Sequence, residues 1–352
     1  MHGMRFDLTP AKDISGEWAE LAERVGASPF HHPGWFLAWH RAFGRGRLRV
    51  LAIRRQGRLS AILPLEPRSG RLRSPTNWHT PLFGILAGDA ASAQDLARAL
   101  LDRWAWLADL SFLLEDDIGA QAILRETGSR GWRLLKRPLL RSPYLEIDGD
   151  WERFESGLGD KLLKDLRRRR RRLEEMGQVR FEACDGSERL EELLEEGLRV
   201  EAGGWKGADK SAILSRPQTA DFYRDLAGWS AGLGILRLLF LRVDEKPIAF
   251  QFTLEQGGIQ YLLKTGYDDG FDRFSPGKLL KHEALARAFA IGLRGYDFCG
   301  EDAPWKHEWT RDVRERVRIQ VFAPTMSGRL GHLAFTKARP FVKRLLRRPV
   351  SR

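Results

Sequence analysis

The chain has 352 residues, of which 43% are apolar, 10% aromatic and 30% charged. This balance fits two globular domains and excludes wholesale disorder, a coiled coil and a collagen-like repeat. The net charge of +12 sits in two places: eight Lys or Arg against Asp165 between Lys161 and Arg172, and ten with no acid between Arg316 and Arg352. The remainder is mildly acidic, so the two basic patches, not the whole globule, need explaining.

Met1 to Thr9 has no basic segment leading into an apolar run, and no stretch of 18 apolar residues follows. Neither a secretory signal nor a spanning helix is expected, and a cytoplasmic location is the default. Two cysteines, Cys184 and Cys299, and eight histidines without an H-x-x-x-H pair are too few for a disulfide framework. No metal site is expected from them either.

In chain order, an aromatic-rich helix over Pro33–Phe43 precedes a strand–turn–strand over Leu48–Leu65. A third strand is expected over Asn77–Leu86, then an amphipathic helix over 91–108 and an apolar strand over Leu110–Leu114. The same order returns 188 residues later: a helix over Thr219–Leu233, a hairpin from Leu236, a strand over Ile259–Tyr267, a helix over Pro276–Ile291 and a strand over Gly295–Cys299. Leu48 falls on Leu236, Arg49 on Arg237, Arg54 on Arg242 and Ala61 on Ala249. A β-β-β-α-β order met twice predicts a tandem α+β duplication rather than one large sheet. Between the copies, a helix from Asp160 carries the run Arg167–Arg172. The expected domains are 1–150 and 151–330, with a basic tail over 331–352 whose Phe341, Val342, Leu345 and Leu346 alternate with Lys and Arg.

The junction Gly266-Tyr-Asp-Asp-Gly-Phe-Asp-Arg-Phe-Ser-Pro-Gly-Lys-Leu-Leu joins a strand to a helix start. Unpaired N–H groups and the positive end of the helix dipole suit a pyrophosphate there. Ser275, Pro276 and Gly277 permit close approach and Lys278 adds charge; the plainer alternative is a helix start with Ser275 as N-cap and nothing bound.

Four runs in order, Tyr261-Leu-Leu-Lys-Thr-Gly-Tyr-Asp, Phe274-Ser-Pro-Gly-Lys-Leu-Leu, Gly295-Tyr-Asp-Phe-Cys-Gly and Trp305-Lys-His-Glu-Trp-Thr, resemble the BioF2-like (CelD-type) acetyltransferases. That branch of the GNAT superfamily is related to the FemAB-like aminoacyl transferases. The resemblance extends to Gly204-Trp-Lys-Gly and the linker Lys161–Gly177, covers roughly residues 150–325, and makes the first half a degenerate copy. It implies a tandem duplicated GNAT-like fold with mixed sheets flanked by helices, and acetyl-CoA or another acyl-CoA as donor, held by Arg273, Phe274, Ser275, Pro276, Gly277, Lys278 and Leu279. Ordinary GNAT enzymes carry Gln/Arg-x-x-Gly-x-Gly/Ala at that loop; Arg273-Phe-Ser-Pro-Gly-Lys-Leu has a single glycine.

Acyl transfer to an amine needs a base, a donor to the thioester carbonyl and an acid for the thiolate. Candidate catalytic residues are Asp297 on the last apolar strand, Glu308 and Lys306 in the Trp305–Trp309 segment, Tyr267 as the acid, and Lys264, which Asp297 would pair if both are buried. Trp205, Lys206, Asp268 and Trp305 are candidates for holding the substrate. Each has a structural alternative: a satisfied carboxylate, a packed tyrosine, a solvated lysine. The resemblance implies a cell-envelope, lipid-linked or exopolysaccharide precursor as acceptor. Two further readings stand: FemAB-like transfer from aminoacyl-tRNA, with the arginine helix as RNA footing, and a silent adaptor of a membrane-bound glycan synthase. In either case the tail from Lys337 suits an anionic membrane surface on its inner face.

Overall fold

The computed structural model describes residues 8–102, 105–203 and 212–338. The chain divides into two compact units, residues 1–40, 44–140 and 315–352 in the first, and 41–43 and 141–314 in the second.

The first unit contains β1 (Leu8–Pro10), α1 (Ser15–Arg24), α2 (Pro33–Phe43, shared with the second unit at its last three residues), β2 (Arg49–Arg55), β3 (Arg58–Arg68), β4 (Arg71–Arg73), β5 (Leu86–Ala87), α3 (Ala90–Leu101), β6 (Leu107–Leu114) and α4 (Ile118–Ser129). Strand β7 (Arg133–Glu146) begins in this unit and ends in the second. The second unit continues with α5 (Trp151–Ser156), α6 (Asp160–Glu174), β8 (Val179–Cys184), α7 (Leu190–Ala202), α8 (Pro217–Gly232), β9 (Leu236–Val243), β10 (Lys246–Gln256), β11 (Ile259–Tyr267), α9 (Pro276–Ala290) and β12 (Gly295–Asp297). Strand β13 (Val313–Phe322) and α10 (Met326–Leu333) return the chain to the first unit.

The duplication is present in the pairing itself. In the first unit β1, β2, β3 and β4 run antiparallel in sequence order and β4 pairs parallel with β6. In the second, β8, β9, β10 and β11 do the same and β11 pairs parallel with β12. A parallel pair needs a crossover, which α3 and α9 supply. Both hairpins turn at matching positions, Arg55 opposite Arg58 and Val243 opposite Lys246, and both slip register at matching residues, Ser60 and Ile248. A shared bulge at one position is a structural fingerprint that composition cannot imitate. Each copy is closed by one more strand: β13, from late in the chain, runs antiparallel to β6, and the end of β7, from just before the second copy, runs antiparallel to β12.

One expected strand is absent. Asn77–Leu86 forms no strand up to Ile85, and the third strand of the first copy is the short β4. Asn77 Oδ1 accepts from the His79 N–H at 2.9 Å, and the Thr80 N–H donates back to the Asn77 carbonyl at 2.9 Å. An Asx turn followed by Pro81 competes successfully with strand pairing here.

The core of the second unit lies between the sheet and α9. Pro276 starts that helix, and Leu280, Ala284, Leu285 and Ala288 recur at helical spacing as its buried stripe. They meet Leu239, Leu241, Leu262 and Tyr296. The arginine helix α6 is anchored by the same core through Leu166 and Leu173. Its arginines remain outside because only one face is apolar.

Candidate active site

The segment from Tyr267 to α9 is a two-turn 3-10 helix (Asp269–Phe274) followed by Ser275 in the left-handed conformation, φ 48°. Ser275 occupies the N-cap position, but no hydrogen bond from its side chain caps the helix. Its carbonyl instead accepts from the N–H groups of Lys278, at 3.0 Å, and Leu279, at 3.2 Å. Beside this turn lies a cleft of about 1120 Å³ lined by residues 158–169 of α6 and its approach, by Lys278 and by Glu308.

Five cations face the cleft, Lys161, Lys164, Arg168, Arg169 and Lys278, against the carboxylates Asp160, Asp165 and Glu308. Asp165 is engaged by Arg169 at 2.6 Å and by Arg168. Arg169 also donates to the Arg273 carbonyl at 2.7 Å, fastening α6 to the turn before α9. Arg170 reaches Glu283 on α9. The helix that supplies the charge is therefore fixed to the turn before α9, but the unpaired N–H groups expected there are largely absent: those of Ser275, Lys278 and Leu279 bond the Asp272 and Ser275 carbonyls, and Pro276 has none. Arg273 itself lies over the Phe274 ring at 4.7 Å, and Phe274, Pro276 and Leu279 are buried in support.

Across the cleft, Lys278 Nζ pairs with Glu308 Oε1 at 2.6 Å. Glu308 Oε2 is buried without a hydrogen-bond partner among the described residues. Lys306, 6% exposed, does not face the cleft: its Nζ is held by the carbonyls of Cys299 and, at 2.7 Å, Glu301. Burial lowers its pKa, and the lysine clamps the loop after β12. Trp305 lies beside it, with the ammonium 5.6 Å from its ring centre.

Asp297, 3% exposed, accepts from the Cys299 N–H at 2.8 Å and from Ser142 Oγ at 3.3 Å. Those bonds serve the left-handed turn at Cys299, φ 46°. Tyr267 donates to Asp272 at 3.0 Å; burial first, then that bond, raises its pKa and keeps the phenol protonated. Asp268 pairs with Lys246 at 2.8 Å, chiefly through which its carboxyl is held below the usual range. Lys264 Nζ lies 5.6 Å from the Tyr223 ring centre. Of the sequence-derived candidates, the structure thus brings Lys278 and Glu308 together at the cleft, where Lys278 alone of residues 273–279 is part of the lining, and gives Asp268, Tyr267, Lys264 and Lys306 other neighbours. Trp205 and Lys206 lie outside the described residues, as does the tail from Arg339. Among the described residues no group of His, Cys, Asp and Glu is arranged to hold a metal ion, and no helix is long and apolar enough to cross a membrane.

One cluster escaped sequence reading. Lys281, buried on α9, donates to the Tyr296 hydroxyl and, at 3.4 Å, to Gln251 Oε1. Burial drives its pKa well below the ordinary lysine value. The signal was available: Lys281 shares the helical stripe of Ala284, Leu285 and Ala288.

Residues 160–307 match the family model described as acetyltransferase (GNAT) domain. No curated protein matches the chain by sequence. Among solved structures, FemX is similar with a TM-score of 0.60 at 10% identity, covering 94% of this chain and 99% of FemX. The C-terminal DUF2156 domain of a protein named as a lysylphosphatidylglycerol synthetase from Agrobacterium fabrum gives 0.59 at 12% identity, covering 93% and 96%. L-PGS from Bacillus licheniformis gives 0.56 at 12%, covering 95% and 98%. With the repeated strand order, these likenesses make the chain a tandem pair of GNAT-like α+β units, the second of which carries the acetyltransferase-domain match.

Proposed function

We propose that the second unit transfers an acyl group, acetyl in the first instance, from acyl-CoA to an amine or hydroxyl of a cell-envelope or exopolysaccharide precursor. The observation that carries this reading is the cleft in which Lys278 and the start of α9 stand beside the cations of α6 and opposite Glu308. The cations of α6 and Lys278 suit the phosphates of the donor, whereas the N–H groups of Ser275, Lys278 and Leu279 are already bonded to the Asp272 and Ser275 carbonyls. Glu308, which lines the cleft, is the candidate base for the incoming ammonium or hydroxyl, whereas Tyr267 donates to Asp272 and is not part of the cleft lining. Asp297 and Lys306 hold the β12 loop in place. The BioF2-like motif order supports acetyl-CoA as the donor, and the interleaved basic and apolar residues of the tail support a peripheral position at the inner membrane face.

A second reading is favoured by one observation: α6 brings more cations to the cleft than a single pyrophosphate requires. An aminoacyl-tRNA donor would use them on its backbone. Calorimetry on the full chain with acetyl-CoA, and in parallel with tRNA, separates the two. Micromolar acetyl-CoA binding without tRNA binding supports the first reading; the converse supports the second, and binding of neither removes both.

A further inference from the structure

We infer that the first unit carries a pyranose-binding pocket of its own, at the place where β4 and β6 part. The parallel ladder reaches Arg73 opposite Asp109. One more backbone bond follows, from the Ser74 N–H to the Asp109 carbonyl at 3.0 Å. The next rung is made by a side chain, with Ser74 Oγ accepting from the Ser111 N–H at 3.1 Å. Beyond it the strands separate around a pocket of about 240 Å³, one small ring in size. Ligands in sheets with parallel strands bind beyond the carboxyl ends of those strands, which is where this opening lies.

The pocket is lined by the hydroxyls of Ser74, Thr76 and Ser111, by Arg73 and Arg318 beside Asp109, and by an aromatic wall. Arg318 grips buried Asp109 with two bonds, at 2.7 and 2.6 Å. That pairing cancels the charge yet leaves guanidinium N–H groups to meet hydroxyl oxygens. Trp78 is 68% exposed and stands at 90° to Phe112, ring centres 5.8 Å apart. The Asn77–Thr80 turn pins the loop that presents it. Phe112 has φ 66°, rare for a bulky residue, and its carbonyl is held by the Phe83 N–H at 2.9 Å. An exposed indole on a pinned turn, above hydroxyls and an internally neutralised ion pair, matches a sugar ring: one apolar face and a rim of hydroxyl groups.

The inference rests on the first unit alone and survives failure of the acyl-transfer reading. Saturation-transfer NMR on the full chain with methyl β-glucopyranoside and methyl N-acetyl-β-glucosaminide, with acyclic sorbitol as control, tests it. The expected result is transfer to ring protons of at least one pyranoside and none to sorbitol, at least a fivefold loss in Trp78→Ala, and most of the signal kept in Trp78→Phe. Acetyl-CoA affinity stays unchanged in both variants. No transfer to either pyranoside, equal transfer to sorbitol, or an undiminished signal in Trp78→Ala overturns the inference.

Discussion

Replacing Lys281 by Met tests the buried cluster beneath the donor loop. Lys281 is 1% exposed, and burial, reinforced by the nearby Lys306 ammonium, depresses its pKa. In the unfolded chain the same group titrates near ~10.4. Between its native pKa and that value the unfolded chain binds more protons, so stability rises with pH, by up to about 1.4 kcal/mol per unit for one proton. Methionine carries no proton in either state, and exchanging a buried ionisable group for an apolar one of similar length is often neutral or stabilising by roughly 1–4 kcal/mol. Lys281→Met should therefore be as stable as the parent or more so at pH 7, and its advantage should shrink as pH approaches 10. Lys306 adds a slope of the same sign to both proteins and cancels in the difference. Urea unfolding of the pair at pH 7, 8.5 and 9.5 measures that difference. A gap that does not change with pH, or a variant destabilised by more than about 3 kcal/mol at pH 7, would mean that Tyr296 and Gln251 hold a charged ammonium, and would refute the argument.

Three further outcomes follow from the site. A Cβ at Gly277 would lie 3.3 Å from Tyr267 Cδ1, so the branched side chain of Gly277→Val must displace the Tyr267 ring or the helix start. Acetyl-CoA affinity should fall at least tenfold, about 1.4 kcal/mol, with the circular dichroism spectrum preserved; unchanged affinity removes the loop from the donor site. Glu308→Gln should lower kcat by about 10²–10⁴, with acetyl-CoA affinity retained. A normal kcat would leave Glu308 only as the partner of Lys278. Removing residues 339–352 deletes six Lys or Arg, each worth about 1 kcal/mol at an anionic surface. Sedimentation with anionic liposomes should then be lost while acetyl-CoA affinity stays constant, and equal sedimentation of both chains counts against the tail.

Local chemistry was enough for much of this protein. The alternation of apolar residues marked the paired hairpins, Pro276 and the stripe to Ala288 marked the helix behind the donor turn, and the charge on α6 was plain in its composition, because each depends on neighbours within a turn or two. Where a side chain competes with the backbone, reading by pattern failed: the Asn77–Thr80 turn displaced a strand. Three-dimensional pairing decided the rest. That β13 closes the first copy and β7 the second depends on contacts between distant segments, to which no periodicity responds. The partners of the candidate residues were settled the same way. Lys306 and Glu308 are two positions apart, yet one is buried among carbonyls and the other faces Lys278, because the short 3-10 helix Pro304–Glu308 turns them to different sides. Arg169 reaches the Arg273 carbonyl across more than a hundred residues of chain. Sequence determines which groups are available along each element; only the packing of those elements determines which of them meet, since that depends on burial and distance summed over the whole core.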